Sequence, residues 1–127
     1  MIEPSTRLMQ RYEVPGAPAV VLFGGNPHRR DAVVRFLGPA LGVTVVGTLS
    51  EAEGIATLEA LGERVGAVVI GGRYDEAQRR RIRAFVARTL PGIHVAEPGV
   101  AFAYDDGELV ADLARALEAS ATAGDPS

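Results

Sequence analysis

A chain of 127 residues with 47% hydrophobic content is one domain with a sizeable core, which excludes disorder over the whole length. With no cysteine, disulfide frameworks, thiol nucleophiles and thiolate metal sites are excluded, and no apolar run approaches the ~20 residues of a membrane span. The net charge of -3 argues against general affinity for nucleic acid, where phosphate neutralisation dominates.

All 13 basic residues are arginine, so no lysine-based mechanism is available. Residues 1–17 carry Pro4, Pro15 and Gly16 and read as an N-terminal arm, in which Ser5 would cap one or two helical turns bearing Leu8, Met9 and Tyr12. The arm lacks the apolar segment of a signal peptide, so a cytoplasmic address is expected. The domain itself spans 18–119. Its first strand is the apolar run Ala19 to Phe23, ended by Gly24-Gly25, after which Asn26 caps a helix with Pro27 at its first position. That helix runs to about Leu41, with Val33, Phe36, Leu37, Ala40 and Leu41 on its apolar face. A second strand, Val43 to Gly47, precedes a capping box of Ser50 and Glu53 and a helix burying Ile55, Leu58 and Leu61.

The third unit repeats the plan of the first. Ala67 to Ile70 is a β-branched run of the kind covered on both faces in a parallel sheet. Gly71-Gly72 ends it, and Asp75 with Gln78 forms a capping box for a helix whose Ile82, Phe85, Val86 and Leu90 face inward. Arg79, Arg80, Arg81, Arg83 and Arg88 mostly face outward on that helix, as a solvated stripe. Ile93 to Ala96 is a short fourth strand broken by Glu97-Pro98-Gly99. Residues 100–104 are either a short fifth strand or an extended connection. Asp105 and Glu108 cap a last helix bearing Leu109, Leu113, Ala116 and Leu117, and 120–127 read as a disordered tail. Alternating strands and helices call for an α/β fold, a parallel sheet with helices on both faces. Right-handed crossovers favour the doubly wound, flavodoxin-like strand order 2-1-3-4, with the fifth strand added if it forms. A ligand would then sit where the ends of strands one and three are neighbours.

From about Ala17 to Ala119 the chain resembles the response-regulator receiver domain. VVLFGGNPHRRDAVVRFL, VTVVGTLSEAEGIATLEAL, GAVVIGG and RRRIRAFVARTLPGIHV follow its order of elements and apolar spacing. The resemblance implies a receiver-like three-layer α/β/α fold in which the fourth receiver helix is reduced or missing. It also implies a degenerate site. Where receivers carry an acidic pair stand Gly24-Gly25, and where they carry the phospho-accepting aspartate stands Gly71 or Gly72. Ala96 and Glu97 occupy the place of the usual hydroxyl residue, and the phosphate-contacting lysine has no counterpart. Aspartyl phosphorylation needs a carboxylate nucleophile and a cation held by further carboxylates, neither of which glycine supplies. Losing the acidic cluster also removes repulsion of roughly 4 kcal/mol per like-charged pair ~4 Å apart at an effective dielectric of ~20. The expectation is a pseudo-receiver: a non-enzymatic, phosphorylation-independent regulatory module acting by protein contact as a homodimer or with a regulatory partner. No metal, cofactor, nucleic acid or membrane enters it. Val100, Phe102 and Tyr104 would form its apolar interface, or else pack internally.

The alternative is a sensor for a small anionic ligand in the glycine-lined crevice. Asn26, His28, Arg29, Arg30 and Arg73 lie near it, and amides at two helix N-termini with arginine suit a phosphate or carboxylate. No nucleotide fingerprint is present. The candidate binding set is Gly24, Gly25, Asn26, Arg29, Gly71, Gly72, Arg73 and Glu97, the last as a lone carboxylate beside the pocket. His28 and His94 lack metal-ligand spacing and are expected to be structural or solvated.

Overall fold

The computed structural model describes residues 11–98 and 105–123. Its elements are β1 (Arg11–Tyr12), β2 (Ala19–Phe23), α1 (Pro27–Leu41), β3 (Thr44–Thr48), α2 (Glu51–Leu61), β4 (Val65–Ile70), α3 (Glu76–Thr89), β5 (His94–Ala96) and α4 (Asp106–Ala123). The fold is α/β: one mixed five-stranded sheet in the order β1-β3-β2-β4-β5, with four helices among the described residues. Pairing is parallel throughout except at one edge, where β1 lies antiparallel to β3 with Arg11 opposite Val46 and Tyr12 opposite Val45.

β2 and β4 are the central pair, and every residue in both is buried. Alternation along them builds two cores. Val20 and Leu22 join Val33, Val34 and Leu37 of α1 and Leu109 and Leu113 of α4 on one face. Val21, Phe23, Val68 and Ile70 join Leu58 of α2 and Ile82 and Val86 of α3 on the other. This layering is compatible with a three-layer α/β/α fold.

The helix starts are set locally, as their sequences predict. Asn26 Oδ1 accepts from the amides of His28 (2.9 Å) and Arg29 (3.0 Å), and Asp75 and Gln78 form a reciprocal box. Asp105 Oδ1 accepts from Glu108 N at 3.0 Å. At α2, Ser50 Oγ accepts from Glu53 N, but Glu53 reaches back to the amide of Leu49 rather than Ser50.

Four expectations need correction. Tyr12 belongs to an edge strand, not a helical turn, and the complete sheet order is therefore not the receiver's. A fit between distant parts of the chain explains it: a Cβ on Gly38 of α1 would clash with the Tyr12 side chain, so glycine there makes room for the tyrosine. The buried face of α1 is Arg30, Val33, Val34, Leu37 and Gly38, while Phe36 and Ala40 face solvent. Arg79 does not face outward, its side chain being only 11% exposed. Finally, α4 continues to Ala123, past the start of the expected tail. The readings of residues 100–104 as strand or connection, of Val100, Phe102 and Tyr104 as an interface, and of the reduced receiver helix fall on residues 99–104, outside those described.

Candidate functional site

The two glycine pairs end the two central strands and face each other across the top of the sheet. Gly24 N–H donates to Thr48 O (2.9 Å), which ties the first turn to β3, and Gly71 N–H donates to Phe23 O (2.8 Å), which ties the second turn to β2. Tyr74 closes the arrangement. Its hydroxyl donates to Gly24 O at 2.9 Å, and its ring meets Phe23 edge-on at 6.1 Å. Burial chiefly, then the carboxylates of Glu51 and Glu53, push the Tyr74 phenol up to about 12, so it stays a donor.

Between α1 and these turns lies a cavity of about 460 Å³. Both pairs, Gly24-Gly25 and Gly71-Gly72, line it with Asn26, Arg29 and Arg73, so the structure brings seven of the eight sequence-selected residues to one place. The remaining wall is Leu22, Val33 and Arg30. Arg30 is only 3% exposed, and its Nε has no hydrogen-bond partner. No carboxylate lines the cavity among the described residues, so its charge is positive on a chain whose net charge is negative.

The position of Arg30 follows from helical spacing and from one glycine. Residues 30, 33, 34, 37 and 38 share one helical face, so Arg30 enters the core side of α1 a turn above Val33 and Val34. Gly47, inside β3, makes room for it. A Cβ there would sit 2.6 Å from Arg30 Cγ and 2.8 Å from Cδ. The aliphatic stem thus lies against Gly47 and Gly24, and Arg30 forms part of the cavity lining. Arg73 is exposed, and its stem lies across Gly25, where a Cβ would be 3.0 Å from Arg73 Cδ. It borders a second cavity of about 280 Å³ that includes Ser50, Glu51 and Gln78.

Glu97 does not line the cavity. Arg83 Nη1 donates to both its oxygens (2.8 and 3.0 Å), and Arg79 lies 3.8 Å away, so its charge is already matched. The expectation of a lone functional carboxylate fails because α3 delivers two guanidinium groups to it. His28 is exposed and does not line the cavity. His94 Nε2 lies 2.6 Å from Asp112 Oδ2, joining β5 to α4. The helix-end amides are also less available than the sequence suggests, because Asn26 already accepts from His28 and Arg29. What sequence reasoning missed is Arg30 as the principal cation; its spacing with Val33, Val34 and Leu37 is the signal that finds it.

Chemically, a buried guanidinium beside two bare-backbone turns can hold an anion by charge-assisted hydrogen bonds. Among the described residues no group of three or more His, Asp or Glu side chains comes together to hold a metal. None of the described helices is long and apolar enough to cross a membrane. Comparison with models of known families, with curated proteins and with solved structures gives no match to this chain.

Proposed function

We propose that the protein is a non-enzymatic binding module on a receiver-like scaffold, and that it holds a small anion in the glycine-lined crevice. The observation that carries this reading is Arg30. Burying an ionised group without a partner costs several kcal/mol, and native proteins seldom keep such a group without a role. An anion entering the cavity supplies the missing partner. Its binding energy comes from the desolvation that Arg30 has already undergone in folding.

The receiver-like reading is supported by the inner strands, whose order is Thr44–Thr48, Ala19–Phe23, Val65–Ile70, His94–Ala96. Glycine stands at both places where carboxylates would be needed for phosphorylation. Incubation with acetyl phosphate and magnesium should therefore leave the intact mass unchanged; a labile phospho-adduct would refute the non-enzymatic assignment.

Anion binding is tested by thermal shift and calorimetry against phosphate and simple carboxylates, with Arg30→Met as the comparison. A ligand at ~100 times its Kd stabilises the native state by roughly 2.7 kcal/mol. The wild type should gain stability in this way and Arg30→Met should not. Equal responses from both, or no response from either, would remove the proposal.

A further inference from the structure

The geometry points to a more specific ligand: an amphipathic monocarboxylate, with its carboxylate on Arg30 and a hydrocarbon or aromatic body against Leu22 and Val33. This rests on the anion-binding reading above and narrows it.

Size is the first argument. A cavity of about 460 Å³ is within the range of small-molecule sites. At about 30 Å³ per water it has room for roughly fifteen, so an inorganic anion alone would leave most of it unfilled.

The nature of the walls is the second. Leu22 and Val33 belong to the large core cluster, at 4% and 6% exposure, and the surface they leave open is directed at the cavity. The Arg30 stem adds methylene groups beside them, held against the sheet by Gly47. Both glycine pairs contribute backbone without side chains. The result is a cleft with an apolar and bare-backbone floor, Arg30 at its buried end, and Asn26, Arg29 and Arg73 around the rest of its lining.

Charge is the third. Arg30 is the one deeply buried cation of the cavity, whereas Arg29 and Arg73 are exposed at its rim. One buried guanidinium balances one negative charge and grips a carboxylate through two parallel N–H donors. A phosphate monoester carries about -1.5 to -2 at pH 7, and its second charge would be matched only by Arg29 and Arg73 at the exposed rim, away from the buried end.

Calorimetry with the wild-type chain tests this, using acetate, butyrate, octanoate, 1-octanol and inorganic phosphate as probes. Affinity should rise about fourfold per added methylene from acetate to octanoate until the chamber is filled. Octanoate should bind at least tenfold more tightly than either octanol or phosphate. Arg30→Met should lose octanoate, and Arg30→Lys should weaken it while keeping some binding, with thermal melts confirming that both variants fold. Val33→Ser should weaken octanoate and leave acetate unchanged. If phosphate or acetate binds as tightly as octanoate and needs Arg30, the amphipathic ligand is wrong and the anion site survives. If octanol matches octanoate, or if no probe binds, the anion site falls with it.

Discussion

α1 and α3 begin alike and end in opposite chemistry. Each follows a glycine pair at the end of a central strand, and each carries arginines onto the top of the sheet. On α3 four of the five arginines lie beside carboxylates, and Arg88 rests over the Phe85 ring. Arg81 pairs with Glu51 of α2 through two bonds (2.7 and 2.8 Å), and Arg83 bridges Glu76 and Glu97. Arg79 has a buried Nε without a hydrogen bond, yet Glu97 lies 3.8 Å off and its Nη1 donates to Gly71 O at 3.3 Å. On α1, Arg30 is buried more deeply than any of these and has no ion pair or side-chain hydrogen bond among the described residues. Matched arginines cross-link the fold. Arg30, buried without a carboxylate partner among the described residues, is the cation on which the proposed anion site rests.

The sharpest way to break this contrast is to unmatch α3. Glu97→Ala removes one of the two carboxylates held by Arg83, which keeps Glu76, and the carboxylate beside Arg79, whose side chain is 11% exposed. Leaving a buried charge without its partner costs about 3–5 kcal/mol when burial is complete, and partial exposure of Arg83 brings the expectation to about 2–3 kcal/mol. Urea denaturation reads it directly. A loss below ~0.5 kcal/mol would mean the α3 arginines are no better anchored than surface charges.

Tyr74 joins the two regions, and pH separates its contribution. The folded phenol titrates at about 12 and the unfolded one near 10, so between those values the unfolded chain releases a proton that the native state retains. Stability must therefore fall as pH rises through this window, by roughly 2 kcal/mol in all. Because the chain contains no lysine, few other groups titrate there. Tyr74→Phe should flatten the decline measured by urea unfolding between pH 9.5 and ~11.5. An unchanged slope would exclude the Tyr74 hydroxyl as the source.

Arg30→Met carries the opposite sign to Glu97→Ala. Methionine fills the channel beside Gly47 without a charge to desolvate, so the ligand-free protein should gain about 1–2 kcal/mol while losing anion binding. A gain in stability coupled to a loss of binding is the pattern of a residue kept for its site. If the variant is destabilised, Arg30 contributes to the fold and the contrast between the helices weakens.

The parts of the molecule legible in the sequence are those decided within a few residues. Asn26, Ser50, Asp75 and Asp105 cap the helices they were expected to cap, since a cap needs only its own first turn. The apolar runs of β2 and β4 likewise announce burial on both faces. What escaped depends on neighbours distant in sequence. Two residues of β1 carry no periodicity; their strand exists because β3 offers an edge and Gly38 offers a seat for Tyr12. Arg30 reads from the sequence as one of several arginines near the crevice and outside the candidate set, and only Gly47 across the sheet explains how it is accommodated in the core. Glu97 read as unattached because its partners come from α3, 14 residues before it for Arg83. Seven of the candidate site residues converge because both glycine turns follow from local pattern and the parallel pairing of β2 and β4 sets them side by side.

The smallest expected effect tests the contrast from the exposed end of α3. Arg81 is 59% exposed and Glu51 24%, so their pair is screened by water despite its two short bonds. Hydrogen bonds from Arg81 hold the Glu51 carboxyl below its ordinary range. The folded state then keeps its carboxylate to lower pH than the unfolded state does. The pair's contribution is complete above the ordinary carboxyl value and is lost as pH falls through the lowered one. Arg81→Ala should accordingly lower Tm by about 1–2 °C at pH 7 and by less in acid. In 1 M salt, where the screening length is about 3 Å, the Arg81→Ala effect should shrink more than that of Glu97→Ala, because Glu97 and Arg79 are only 14% and 11% exposed. Equal salt sensitivity in both would mean that depth of burial does not grade the α3 pairs. Arg30 could then no longer be set apart from them by its depth.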